Sequence, residues 1–579
     1  MKSNKLFFGA LTLLAFTACS DDKNNEPIQS GDSQDMYIKV NIMAANPGGR
    51  SGETFEQGSE NEISNITLIF YGASGNYLTH ATLTKDDEIK AGTLDQTPNV
   101  ECVKTVEAKV SISNNVFPSY MMAFINPVEP SNLNWGLGSI NDQKRTTWLG
   151  ANNKYAMNNS VYYNKNNEFC QAVSVTKDNF YQTEAEKKDA NEVEVYVERI
   201  AAKVTLQGKD ASETSLGNQS GTIGENSLVF TVTGWGLNAT AKQTYLCKNI
   251  GSSYSTVNGQ INNSFDWNDS DRNRSYWAFT PFYTKPTDAE NIKDNIYKFP
   301  FVSSQVSSGN TLTYNKFSSF TTEPGTSMYT LENTVNSAFY NSNPYRNSSL
   351  ISAIVAGYYT VNGKREDFYV QGTDMYLTAD FIRAMAKQGA VIVKSDGTPL
   401  SKDMTNEQLA ELFEIYHPTE PIFGDITRGV EENKVTIKFK DTETNRTNYK
   451  FKLGSAEAVA ITDENIDDIQ ETLYSNCGLS SAYTQGYAYF NVPIRHLASE
   501  PAQGGGWKPG SFGVVRNHHY IITVEKFAPL STATLGKGVL NPENPVVPPT
   551  DPDEDYGIKA KIRVLSWRLV KQSVTLGEK

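Results

Sequence analysis

The sequence predicts an all-β protein built from sandwiches, on two observations. Short runs of alternating apolar and polar residues recur along the chain between Gly, Asn, Asp and Pro turns, and few stretches keep helical spacing. The final residues, Gly557 to Lys579, again read as strand, beyond a proline-rich acidic tether. With 579 residues and a formal charge of −13, the chain has room for two or three domains with real cores. A surface for nucleic acid needs clustered Lys and Arg, and none is seen.

The first element is a leader. Lys2 and Lys5 precede an apolar run, Leu6 to Ala18, too short to span a bilayer, which is the pattern of a signal peptide. It ends in Phe16-Thr-Ala-Cys19, which resembles a bacterial lipobox with Phe in place of the usual Leu. That resemblance implies a lipidated Cys19. Ser20-Asp-Asp-Lys23 resembles the acidic signal that sends lipoproteins of Bacteroidota to the outer leaflet of the outer membrane. Acyl chains at about 0.8 kcal/mol per buried methylene would hold such a precursor there. The competing reading is an ordinary secreted protein with a chance cysteine.

The next element alternates Met36, Ile38, Val40 and Ile42 with Tyr37, Lys39 and Asn41, a half-buried strand. The loop after it, Asn46-Pro-Gly-Gly-Arg-Ser-Gly52, keeps its backbone out of helix and ladder and invites proteolysis. Arg50 is the only arginine before Arg145. An arginine-reading protease therefore finds one obvious bond, Arg50–Ser51, whose cleavage frees both lipid and strand. An unprocessed turn arginine is the alternative.

Strands are expected at Ile66 to Tyr71, Cys102 to Ile112, Tyr120 to Ile125, Val193 to Val197, Ile200 to Leu206, Leu228 to Val232, Lys434 to Phe439, Tyr487 to Val492 and Val514 to Phe527. Helices are few: a capping box at Thr405 and Gln408 opens one, and helical stripes run through Phe381, Ile382 and Met385 and through Ile466, Ile469 and Leu473. These read as short packing helices between strands. Apart from these helix signals, residues 251–420 hold no motif that can be matched to a known pattern.

Chemistry-bearing motifs are weak. Cys102, Cys170, Cys247 and Cys477 are widely spaced, without CxxC, so zinc is disfavoured, while a disulfide among them stays open. Gly504-Gly-Gly-Trp-Lys-Pro-Gly-Ser511 lacks the ending of a phosphate loop. His518 and His519 are adjacent on a strand and so face opposite ways. The carboxylates from Asp551 to Asp555 are followed by Tyr556 and Ile562 where a calcium hand needs Gly and an acid. No catalytic residue, cofactor site or metal site is assigned, and the chain is not expected to be an enzyme.

The tail completes the series. Residues 541–555 hold five prolines and a run of carboxylates, an extended tether with a reach of roughly 50 Å. Beyond it Ile558, Ala560, Ile562 and Val564 alternate with Lys559, Lys561 and Arg563. The phase then slips: Leu565, Trp567 and Leu569 carry the apolar face before Val570, Val574 and Leu576 return to the first, so a bulge or change of sheet is expected near Ser566. A tethered strand with nothing at home to pair with needs an acceptor elsewhere. If the Met36 strand leaves after cleavage at Arg50, its groove is that acceptor, and strand addition between copies runs head-to-tail without closing.

These pieces together resemble the two-domain fimbrillins of Bacteroidales, the type V pilins, and within them the major stalk subunit of short fimbriae. The resemblance rests on the lipobox, the strand ending at Arg50, Met122-Ala-Phe-Ile-Asn-Pro127, Val197-Glu-Arg-Ile-Ala-Ala-Lys-Val204, Val515-Arg-Asn-His-His-Tyr-Ile-Ile522 and the Pro/Asp linker into Ile562-Arg-Val-Leu-Ser-Trp567. It implies two transthyretin-like β-sandwich domains with a few short helices and a C-terminal donor strand. The expected division is 1–19 signal peptide and lipobox, 20–50 propeptide, 51–210 first sandwich, 211–540 second sandwich, and 541–579 linker and donor strand. It further implies an outer-membrane lipoprotein precursor that becomes part of an extracellular fimbrium. The implied partners are other copies, accessory, anchor and tip pilins, an arginine-specific or trypsin-like protease, and host or bacterial surface ligands. Competing readings are a tip or accessory adhesin, and a monomeric glycan-binding surface lipoprotein with Trp235, Trp267 and Trp277 as stacking residues.

Overall fold

The computed structural model describes residues 33–574 apart from 46–59, 92–99, 128–134, 164–168, 209–215, 250–277, 283–323, 336–349, 419–433, 497–511, 534–557 and some shorter stretches. Strands dominate and helices are few, as the alternation predicts.

The first sandwich is formed by β1 (Ser33–Ala45), β2 (Ile66–Tyr71), β3 (Tyr77–Leu83), β4 (Ile89–Ala91), β5 (Val100–Ser113), β6 (Tyr120–Ile125), β7 (Met157–Asn159) and β8 (Val193–Arg199). With two short pieces, Val173–Ser174 and Phe180–Tyr181, they make a ten-stranded sheet in the order β3-β2-β6-β7-β8-β1-β5-β4. It wraps a core that includes Ile38, Val40 and Ile42 of β1 and Phe70, Met121 and Val195 of its neighbours.

Past Ile200 the pairing changes: β9 (Ala201–Gln207) continues directly from β8 yet pairs in another sheet. It is followed by β10 (Asn218–Ile223), β11 (Asn226–Asn238), β12 (Ser327–Leu331) and β13 (Ser352–Val361). A module is then inserted: β14 (Phe368–Gln371), β15 (Asp374–Leu377), helix α1 (Thr378–Gly389), α2 (Asn406–Leu412), β16 (Phe413–Tyr416), β17 (Lys434–Phe439), α3 (Ile466–Cys477) and β18 (Ser480–Tyr483). Its sheet, β15-β14-β18-β17-β16, packs on the helices around its own core of Phe381, Met385, Ile437 and Leu473. The helices thus belong to a small α/β unit rather than serving as isolated connectors. The Thr405 and Gln408 capping box forms as its spacing predicts.

The second sandwich closes with β19 (Tyr487–Pro493), β20 (His518–Phe527), β21 (Thr532–Ala533), β22 (Ile558–Ser566) and β23 (Arg568–Val574). Its two sheets run β10-β11-β13-β19-β21 and β12-β9-β20-β22-β23. Between them lie Val204, Phe230, Trp235, Phe490, Tyr520 and Ile522.

The fold corrects two expectations. Val514 to Phe527 is not one strand: Gly513–Val514 pairs apart, and Asn517 turns left-handed at φ 57° so that Arg516 can point inward before β20 begins. The tail does have a partner at home, since β22 lies antiparallel to β20.

Candidate functional site

Strand β1 is an interior strand with ladders on both sides. It runs antiparallel to β5 from Ser33 opposite Ser113 to Ala44 opposite Cys102. Its other edge is shared, antiparallel to Phe180–Tyr181 at Tyr37 and Ile38 and then parallel to β8 from Val40 opposite Val193 to Ala44 opposite Val197. The alternation decides the packing. Ile38, Val40 and Ile42 are fully buried and Met36 nearly so, each contributing up to about 1.5–3 kcal/mol before ordering costs. The outward residues carry polar fastenings: Lys39 pairs with Glu192, Asn41 Nδ2 donates to Glu192 Oε2 at 2.6 Å, and Lys109 Nζ meets Asp35 Oδ2 at 2.7 Å. These hydrogen bonds hold both carboxyls below their ordinary values, Glu192 through Lys39 and Asp35 through Lys109. Taking β1 out would bare the edges of β5 and β8 and an apolar groove between them.

Downstream of the Arg50 loop, the chain is firmly held from Glu60. Asn126, buried at the end of β6, accepts from Ser64 N at 3.0 Å and donates to Glu62 O at 2.7 Å and Tyr155 O at 2.9 Å. Glu60 pairs with Lys203 of β9 at 3.0 Å and accepts from Tyr329 of β12, while its carbonyl accepts from Arg199 Nε at 2.9 Å. A chain beginning after residue 50 therefore remains anchored to both sandwiches.

The same motif residues build the junction between the sandwiches. Arg516 is fully buried, and its guanidinium reaches Glu332 Oε2 at 3.1 Å, Tyr245 O at 2.6 Å and Leu246 O at 3.0 Å. Glu198, at the end of β8, pairs with Lys248 at 3.2 Å, both wholly shielded from solvent. Burial pushes the Lys248 ammonium down, and the neighbouring Glu198 carboxylate opposes this. Asn517 Oδ1 accepts from Arg199 Nη1 at 3.1 Å. Charges this deep persist only when paired, because removing one partner leaves the other uncompensated.

The tail occupies the edge beyond β20. Val564 stands opposite Tyr520, Ile562 opposite Ile522 and Ala560 opposite Val524, the three β20 residues that face the core. After a register shift Lys559 falls opposite Lys526. Between Ser566 and Arg568 the chain reverses, so β23 pairs antiparallel with β22. The expected slip near Ser566 is thus a hairpin, which places Ile558, Ala560, Ile562, Val564 and Leu565 on one strand and Leu569, Val570 and Val574 on the other.

Cys19, Arg50, Ser51, Trp567, Leu576, the tether, Trp267, Trp277 and the Gly504 loop lie outside the described residues, as do the side chains of Cys102 and Cys170. Cys247 and Cys477 are free buried thiols. Trp235 is a core residue with no exposed face and cannot stack on a ligand. His518 and His519 do reach different neighbours, the Arg516 carbonyl at 2.8 Å and Thr205 Oγ1 at 2.7 Å. The junction ion pairs were missed from sequence; Glu and Arg inside otherwise apolar strand runs were the available signal.

An interior first strand and a terminal hairpin on a sheet edge mark this assembly of β-sandwiches as strand-built throughout. Residues 481–573, from β18 through most of β23, match the family described as Major fimbrial subunit protein type IV, Fimbrillin, C-terminal. That C-terminal segment is similar to the fimbrillins. No curated protein matches it. Among solved structures it is similar to the tip fimbrial protein of Porphyromonas gingivalis with C-terminal truncation, at 11% identity, 92% of this chain, 100% of that one and a TM-score of 0.31. A fimbrilin of Porphyromonas gingivalis W83 shows 11% identity, 92% and 98% coverage and a TM-score of 0.34. A fimbrial assembly protein of Parabacteroides distasonis shows 9%, 56% and 82%, with a TM-score of 0.28. At such TM-scores these likenesses carry no further argument.

Proposed function

We propose that this chain is a structural subunit of a cell-surface fimbria, of the stalk kind, that polymerises by strand exchange. The precursor is exported and held at the outer membrane through lipidated Cys19. Cleavage between Arg50 and Ser51 by an arginine-specific or trypsin-like protease releases β1. The tail of another copy leaves its home edge, opens its hairpin and takes the vacated place between β5 and β8.

The observation that carries this reading is the contrast between the two strand positions. β1 has ladders on both edges and a fully buried face, whereas among the described residues β22 pairs with the body through β20 alone. Exchange into an interior position trades the β20 edge and the hairpin ladder to β23 for two ladders to the body, along β5 and β8, and each joined pair presents a free groove at one end and a free tail at the other. A tip or accessory adhesin would need the groove but not the donor.

The test is electron microscopy and amino-terminal sequencing of the purified precursor before and after limited trypsin treatment, beside Arg50→Ala. The expected result is a new terminus at Ser51 and fibres only in the treated natural chain. Polymer ladders from Arg50→Ala with its leading segment still attached would sink the cleavage step.

A further inference from the structure

The first sandwich holds a cavity of about 470 Å³ beside the junction, well within the range of roughly 300–1,000 Å³ for small-molecule sites. Its wall chemistry is mixed. Ile69, Phe124 and Met157 supply apolar floor, and Asn65, Thr82 and Gln143 supply polar rim. One side is aromatic: the rings of His80 and Trp135 stack at 5.4 Å and 17°, and both line the cavity. Tyr77 braces this wall from outside, its hydroxyl 2.7 Å from His80 Nδ1 and its ring 5.9 Å from Trp135.

The other side is cationic. Lys144 is exposed at the rim and Arg145 lies behind it, half-buried. The guanidinium spends its Nε on Thr147 O and one terminal nitrogen on Leu149 O, both at 2.7 Å. Among the described residues no carboxylate pairs with Arg145, and no Asp or Glu lines the cavity. Its neighbours at the junction differ: Arg516, Lys248 and Lys203 each have a Glu within 3.2 Å. Burial and the nearby Arg516 charge push Arg145 down to about 10, which leaves it charged at neutral pH. An uncompensated, partly desolvated guanidinium attracts an anion strongly, and its planar donors suit a carboxylate.

We propose that this cavity is a binding site for an acidic sugar, with the ring against the Trp135 and His80 wall and the carboxylate held by Lys144 and Arg145. The aromatic wall suits the apolar face of a pyranose, and the rim suits its hydroxyls. Neither feature suits a bare inorganic anion. The site is independent of strand exchange, so its failure leaves the polymerisation reading standing.

The experiment is titration of the uncut full chain, by calorimetry and saturation-transfer NMR, with glucuronic acid, N-acetylneuraminic acid, glucose and acetate. The expected result is that at least one acidic sugar binds at least about tenfold tighter than glucose and than acetate. Trp135→Ala, with unchanged thermal unfolding, abolishes it, and Lys144→Ala weakens it about tenfold while added salt weakens the natural chain. Lys144 is exposed, so its variant reads binding free of any folding defect. Equal binding of glucose, acetate binding as tight as the acidic sugars, indifference to both substitutions, or no binding of either acidic sugar overturns the proposal.

Discussion

At the scale of single residues, the junction turns on buried polar side chains that hold several partners each. Asn126 joins the segment after the cleavage loop to the end of β6 and to Tyr155, and Gly150 permits this by close approach: a Cβ there would lie 1.7 Å from Asn126 O. Asn126→Ala strips four backbone groups of a partner and is expected to cost about 2–4 kcal/mol in chemical unfolding. Asn126→Asp keeps the accepting half but sets a buried oxygen without a donor against the Glu62 and Tyr155 carbonyls, so it should cost at least as much. Glu332→Gln leaves the buried Arg516 with an amide in place of its carboxylate. The expected loss is about 3–5 kcal/mol, read as a lower unfolding midpoint, and the Glu332→Gln, Arg516→Met double variant should recover part of it. Asn126 and Arg516 sit in motifs the sequence singles out, but a partner such as Glu332 lies far along the chain from Arg516 and carries no local signal of the pairing.

At the scale of elements, alternation made β1, β2, β6 and β17 legible to within a residue or three, because each buries one or both faces of a regular strand. It failed where the backbone breaks its own period. Val514 to Phe527 has a strand-like composition throughout, yet the left-handed Asn517 divides it, and the reversal after Ser566 looked like a bulge because a two-sided hairpin produces the same phase slip. The fastenings of β1 lead to a pH prediction. Asp35 and Glu192 are both held below their ordinary values of 3.8 and 4.5 by Lys109 and Lys39. A depressed carboxyl contributes stability that is present above its unfolded value and lost as pH falls through its folded one. After cutting at Arg50, the leading peptide should therefore leave its groove faster in acid below those ordinary values than at neutral pH, by a small factor because solvent screens the pairs. Release timed by size exclusion checks this, and Asp35→Asn with Glu192→Gln should flatten the dependence.

At the scale of the whole molecule, two places compete for one tail: the edge of β20 at home and the groove of β1 in a neighbour. The home edge needs only the intact second sandwich, whereas the groove exists only after β1 has left. A chain ending before residue 541 keeps both sandwiches and exposes the β20 edge, so it separates the two acceptors when offered a synthetic peptide of residues 558–579. Before cleavage that body presents the home edge alone; after trypsin and removal of the leading peptide it presents both. The expected outcome by calorimetry is a weak association with the uncut body and a much tighter one, approaching one peptide per body, with the cut body. Because β1 buries four apolar side chains at up to about 1.5–3 kcal/mol each, a replacement strand should bind the groove many orders of magnitude more tightly than an edge offering one ladder. Ile562→Asp in the peptide should weaken groove binding most, since that position needs a dry partner. Equal affinity for cut and uncut bodies would mean that the edge of β20 is the only acceptor, that the tail never transfers, and that copies of this chain are joined in some other way.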